Sequence, residues 1–359
     1  MKQFRILVIN PGSTSTKLAV FENGTSLFEE QIRHNPGELA SFKKTCAQYN
    51  FRKTLVLKAL KRRNIALDSL DAVVGRGGLL RPLAGGTYKI NRKMLKDLRD
   101  ISIWGREHAS NLGALIAYRI GKELGIAAFV VDPVSVDELQ PLARISGLPG
   151  VERRALFHAL NVKAQARRVS RDLRKKADKV NLVIAHMGGG ISVCAYRRGR
   201  VIDVNNAVLG MGPFSPQRVG ALPVADLVKL CFSGKYSREE LERRLVKHSG
   251  LIGYLGTDNV PGIEKKIKQG DKRAGLILEA MAYQIAKEIA AMAAVLKGDV
   301  DAVVLTGGLA FSKRITGWIR QRVSFIASVL VYPGEEELRT LVEGGLRVLR
   351  GQEDARTYR

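Results

Sequence analysis

Cysteine is scarce. The three in this chain of 359 residues, Cys46, Cys194 and Cys231, are an odd number with no close pair. They make neither a zinc spacing nor a disulfide framework, and they read as free thiols. Aromatic residues are only 6% of the chain, too few to interleave with its basic stretches as they do in stacking nucleic-acid modules. No apolar run approaches the roughly 20 residues that cross a bilayer, the nearest being the Ala-rich stretch Ile289 to Leu296. The first apolar run, near Phe4, is too short for a signal peptide, so a cytoplasmic location without membrane partners is expected. A Gly-Lys-Ser/Thr P-loop and the kinase catalytic-loop motifs are also missing.

Acidic residues are outnumbered, 34 against 59 Lys plus Arg, which leaves a net charge of +25. Such an excess raises the question of nucleic acid. Here it is spread over Lys61 to Arg63, Arg167 to Lys176, Arg243 to Lys247 and Lys265 to Arg273, in no recognisable binding module. It reads as a solvated surface that attracts nucleotides and carboxylates, and nucleic acid is not an expected partner.

What the chain has in plenty is glycine, 36 residues beside 45% hydrophobic content, the balance of an α/β protein with many tight strand-to-helix turns. The stretch Leu7 to Gly24, LVINPGSTSTKLAVFENG, is two apolar runs around a bend of small and hydroxyl residues. Such a bend can turn main-chain N–H groups and hydroxyls onto a phosphate, because Gly12 leaves room for close approach. From Leu182 the pattern returns as LVIAHMGGGISVCAYRRG, and DAVVGRGGL at Asp71 to Leu79 returns as DAVVLTGGL at Asp301 to Leu309. A third apolar run follows a helical stretch in each half, Ala127 to Val131 and Val329 to Val331. An internal duplication follows, with two Gly-rich hairpins facing each other across a cleft. The expected division is 1–157 and 158–334, with a last helix in 335–359 packing back on the first half. Helices are expected over 37–64, from near His108 to Gly125, over 157–176 and over 274–296.

Several side chains stand where ligand chemistry needs them. Arg76 lies in a glycine cluster at a strand end, where a guanidinium can make paired hydrogen bonds to an oxyanion. Asp132 follows the strand 126–131, at the carboxyl end where α/β sheets bind ligands. His108 stands near a helix start, His186 precedes Gly188-Gly189-Gly190, and Arg218 lies in the Gly- and Pro-rich loop 210–223. Two Gly-rich hairpins with loop arginines and histidines describe phosphoryl transfer, in which positioning and charge neutralisation do most of the work. A carboxylate acceptor is already ionised at neutral pH and needs cations rather than a base.

These motifs resemble the butyrate kinase family, a branch of the acetate kinase group in the superfamily of sugar kinases and actin. The resemblance runs along nearly the whole chain and is carried by VINPGSTSTKLAVF, GRGGLLRPLAGGTY, HASNLGALIA, HMGGGISV, GPFSPQR, the long block ending in DAVVLTGGLA, and RVSFIASVLVYPGEEE. It implies two ribonuclease-H-like (actin-like ATPase) domains with the active site in the cleft between them. It also implies Mg²⁺-dependent transfer of the ATP γ-phosphoryl group to butyrate, giving butanoyl phosphate and ADP. Branched short-chain acids, or acetate and propionate, are the nearest alternatives; a catalytically weak nucleotide-binding protein with a polyanion-binding surface is a more distant one. By the same resemblance Asn10 lies at the Mg²⁺-phosphate region with Ser13, Ser15 and Lys17 close by. Arg76 and Arg218 hold the carboxylate and the moving phosphoryl group, His186 donates to it, and His108 supports the same site. Asp132 orients an arginine or assists the metal. Glu336, in a run of three glutamates, is the second metal contact. Gly188, Gly189 and Gly190 approach the phosphates, and Gly307 and Gly308 the adenosine. A homodimer or higher homo-oligomer is implied. The chain departs from the family pattern at Leu209, Met211, Val219, Pro261 and Phe311, outside that set.

Overall fold

The computed structural model describes residues 2–105, 107–208 and 210–359. Its strands are β1 (Arg5–Pro11), β2 (Ser15–Glu22), β3 (Thr25–Arg33), β4 (Ala72–Arg76), β5 (Thr87–Lys89), β6 (Ala127–Val131), β7 (Asn181–Met187), β8 (Ile191–Arg197), β9 (Arg200–Val204), β10 (Ala302–Gly307), β11 (Val329–Pro333) and β12 (Arg356–Thr357). The helices used below are α1 (Tyr49–Arg62), α2 (Asn111–Leu124), α3 (Ala159–Asp172), α4 (Lys272–Val295) and α5 (Glu337–Leu349). The chain divides into two compact units, Met1–Val136 with Glu336–Arg359, and Asp137–Glu335.

The first unit holds a seven-stranded sheet in the order β12-β5-β6-β4-β1-β2-β3. The meander β1-β2-β3 is antiparallel, and β4 and β6 join it in parallel. The second unit repeats this core as β11-β10-β7-β8-β9, with the same alternation of antiparallel meander and parallel pair. Both are α/β units with ribonuclease-H-like strand order, as the repeated motifs lead one to expect. The central strands are apolar throughout because both faces are covered. In the first unit Leu7, Ile9, Val73 and Val130 pack with Leu112 and Ile116 of α2. In the second, Val183, Val193 and Val303 pack with Leu278, Met281 and Ile285 of α4.

The expected helix 37–64 is broken. Pro36–Ala40 buries no side chain, Lys44 is extended, and the regular helix begins only at Tyr49, where a buried stripe through Arg52, Val56, Ala59 and Leu60 starts. Helical propensity without an apolar face does not hold the segment together. The expected helix 157–176 is the shorter α3, because Arg174 turns left-handed with φ 54°.

Candidate active site

In the first unit the candidate residues gather at the carboxyl edge of the sheet. Parallel pairing sets Ile9 opposite Gly75, so Asn10 and Arg76 are neighbours, and Arg76 in turn is opposite Val131, one residue before Asp132. The start of α2 reaches this edge because Gly75 and Gly113 touch backbone to backbone. A Cβ on Gly75 would stand 2.2 Å from the Gly113 carbonyl oxygen. Asn10 Nδ2 donates to Glu337 Oε2 at 2.6 Å, and Arg76 Nη1 donates to the other oxygen of the same carboxylate. Burial works to raise the Glu337 carboxyl. The Arg76 guanidinium, the Asn10 amide and the Lys17 charge outweigh it and hold the group below its ordinary value, so it stays ionised.

The carboxylate that meets Asn10 is thus that of Glu337, and not of Glu336, which caps α5 through its backbone without a side-chain cap bond. The three glutamates part company: Glu335 Oε1 lies 3.2 Å from His186 Nε2 in the second unit. Asp132 is buried at φ 38°, and its Oδ1 accepts from the Gly86 N–H at 2.7 Å. His108 Nδ1 accepts from the Ser110 N–H at 3.2 Å and lies 2.6 Å from Ser110 Oγ. An Nδ1 that accepts assigns the proton of the neutral ring to Nε2.

The bend between β1 and β2 has a support that the sequence reading missed. Arg52, 1% exposed, donates to the carbonyls of Gly12 (2.8 Å), Ser13 (3.0 Å) and Ser15 (3.0 Å) and to Gln48 Oε1 (2.8 Å). Burial pulls its guanidinium down to about 10, and it remains a cation at neutral pH. Ser13 and Lys17 are exposed above it, and Ser15 Oγ accepts from Gln31 Nε2. The signal was present: Gln48, Arg52, Val56 and Leu60 are spaced four apart, which puts Arg52 on the buried stripe. Beside it His34 lies 2.9 Å from Thr16 Oγ1; burial and then the Arg52 charge push its ring down to about 4.

In the second unit His186, 1% exposed, pairs across the ladder with Thr306 and packs against the His158 ring at a centroid distance of 4.5 Å. The turn 188–190 is bound to the loop that follows: Ser215 Oγ donates to the Gly189 carbonyl at 2.7 Å, and the Arg218 N–H donates to Ser215 Oγ at 3.1 Å. Arg218 Nη1 donates to the Ala207 carbonyl, and its guanidinium lies flat on Gly190, where a Cβ would come within 2.2 Å of Nη1. A recess beside it is lined by Ile191, Ala207, Val208, Met211, Pro213 and Arg218. Leu209 lies outside the described residues. Gly307 closes β10, its carbonyl accepting from the Gly334 N–H at 3.1 Å. Gly308 has open space where a Cβ would stand, and the nearby Phe311 is 70% exposed. Val219 and Pro261 also belong to this unit; Pro261 starts the helix Val260–Lys268.

The comparisons agree with this picture of the fold. A family model described as the Acetokinase family matches residues 149–322. Among solved structures, the acetate kinase of Porphyromonas gingivalis superposes with a TM-score of 0.80 at 21% identity, over 96% of this chain and 100% of that one. A propionate kinase from Francisella tularensis subsp. tularensis SCHU S4 gives 0.76 at 18% identity, over 95% and 98%. The acetate kinase of Entamoeba histolytica gives 0.75 at 18%, over 95% and 99%. The chain therefore has the fold of these kinases. Among the described residues no helix is long and apolar enough to cross a membrane.

Proposed function

We propose that the protein is an acetokinase-type carboxylate kinase that exchanges a phosphoryl group between ATP and a short-chain fatty acid, with butyrate as acceptor. The observation that carries the reading is Arg218. Its guanidinium lies on Gly190 beside a small recess in which Asn206 and Ser215 stand among Ile191, Ala207, Val208, Met211 and Pro213, a cation for a carboxylate. The Acetokinase match over 149–322 supports it.

In this reading Arg218 and Arg76 hold the acceptor carboxylate and the equatorial oxygens of the moving group, and His186 donates to it. No base is assigned, because the acceptor is already an anion. The bend 10–17 receives phosphate through its N–H groups and hydroxyls. Asn10 and Glu337 fit Mg²⁺: one ionised carboxylate and one amide suit an ion that takes the rest of its oxygens from phosphates and waters. When bound, the ion would neutralise charge on the β- and γ-phosphates.

Acetate or propionate is the second reading, favoured by the acceptors in the names of the superposed kinases. Hydroxylamine trapping of acyl phosphate, formed with MgATP across acetate, propionate, butyrate, isobutyrate and valerate, tests both. A kcat/KM peak at butyrate is expected. A peak at acetate or propionate moves the second reading ahead, and no product from folded protein with any acid overturns the assignment.

A further inference from the structure

The excess of positive charge is not evenly spread once the chain is folded. Residues 167–200 hold ten Lys and Arg against two Asp. The structure folds them onto one edge of the second unit: the end of α3, the turn Ala177–Lys179 and the β8-β9 hairpin. The Arg198 N–H donates to the Val180 carbonyl at 2.9 Å, Tyr196 Oη donates to the Ala177 carbonyl at 3.2 Å, and Lys163 Nζ donates to the Gly199 carbonyl at 3.2 Å. Arg168, Arg171, Arg174, Lys175, Lys176, Lys179, Arg197, Arg198 and Arg200 are all exposed there. Four nearby acids soften the field: Asp301 pairs with Lys175, Asp299 accepts from Asn181 Nδ2, Asp172 accepts from Tyr332 Oη, and Asp178 stands by Gly199.

Two of these cations occupy backbone positions that arginine disfavours. Arg174 follows the end of α3 at φ 54°, and Arg198 begins the hairpin turn at φ 47° before Gly199 at φ 92°. Helix ends of this kind select Gly or Asn, and two-residue hairpin turns of this kind select Asn-Gly. The first unit follows the hairpin rule at the matching turn, with Asn23-Gly24 between β2 and β3, and its helix α1 ends in an Asn, Asn64 at φ 53°. Strained residues held against local preference point to function.

We propose that this edge is a docking surface for the sugar-phosphate backbone of duplex nucleic acid. No large apolar side chain of 167–200 is exposed, so the surface has nothing to insert into a lipid bilayer. The nearby Tyr332 ring is covered by the Arg168 guanidinium at 4.6 Å from its centroid, which leaves no open row of rings on which single-stranded bases would stack. What it offers is a row of flexible cations, which fits sequence-independent binding through counterion release. The edge lies at the far end of β7 and β8 from the 188–190 turn, roughly 20 Å away at 3.3 Å per residue, so docking and phosphoryl transfer are separable.

Fluorescence anisotropy of a mixed-sequence DNA duplex with the full-length protein is the test. Binding that weakens steeply with salt is expected, and Lys176→Glu with Lys179→Glu should weaken it at least about tenfold. The same charge change at the exposed Lys58 and Lys61 of α1 should alter it less than about twofold. Arg174→Asn with Arg198→Asn should also weaken binding while raising Tm by roughly 1–3 °C, which a merely structural role for these arginines does not produce. Kinase turnover should stay at wild type in all three variants. The proposal is overturned if the duplex does not bind, if both glutamate pairs weaken binding equally, if the asparagine pair binds as wild type, or if phosphatidylserine vesicles capture the wild type in preference to the duplex.

Discussion

The two units share a strand order yet support their Gly-rich turns by opposite means. In the first, the 10–16 bend is held from beneath by one buried cation: Arg52 gathers the carbonyls of Gly12, Ser13 and Ser15. In the second, the 188–190 turn is bound from the side by Ser215 and Arg218 of a loop far along the chain. Its arginine belongs to the proposed chemistry, whereas Arg52 belongs to the scaffold. A duplicated fold can thus keep its topology while its two copies support their Gly-rich turns by different side chains.

Substitutions can break this division. The largest effect is expected at Arg218: Arg218→Ala should lower turnover by about 10³-fold in a protein that still melts cooperatively, and near wild-type turnover would remove it from the site. Arg52→Ala should act on stability instead, by about 3 kcal/mol in urea unfolding, since it strips buried carbonyls of their donors. A loss below about 1 kcal/mol would mean that the bend holds itself. Gly190→Ala places a methyl group against the Arg218 guanidinium and should reduce turnover by about 10²-fold through misplacement alone. Its counterpart Gly12→Ala meets nothing closer than 3.6 Å and should change stability by no more than about 0.5 kcal/mol; equal effects at the two glycines would erase the distinction.

The smallest effect concerns pH. His34 is pushed from 6.5 down to about 4, so the unfolded chain binds the proton more readily than the folded one. The stability tied to this ring is complete above pH 6.5 and falls as pH drops toward 4. Denaturant unfolding at pH 5 against pH 7.5 should show a loss of about 1–2 kcal/mol that is absent in His34→Gln. A variant with the same pH slope as wild type would shift the titration elsewhere.

Much of the architecture was legible in the sequence because it is local or repeated. The LVI and DAVV segments and their glycines are strand and turn signals that need no partner, and their recurrence gives the order of both sheets. The residues that were not legible owe their roles to contacts between distant segments. Arg52 is one of many cations in the sequence, and its contacts with the Gly12, Ser13 and Ser15 carbonyls appear only in the fold. The carboxylate that meets Asn10 and Arg76 belongs to Glu337 rather than Glu336 because α5 begins there, a difference of one residue set by helix phase. The basic residues of α3 and of the β8-β9 hairpin are more than twenty positions apart and look dispersed until the sheet brings them to one edge.

The Arg52 arrangement has a consequence for anyone who would move or recode the bend between β1 and β2. Its conformation is specified through main-chain carbonyls by a side chain some forty positions away, so the letters of the bend carry little of its shape. The exposed Ser13 and Thr14 can be exchanged with the loop geometry retained, whereas the same peptide grafted onto a scaffold lacking an internal guanidinium keeps the Gly12 to Ser15 turn bond and loses the support beneath it.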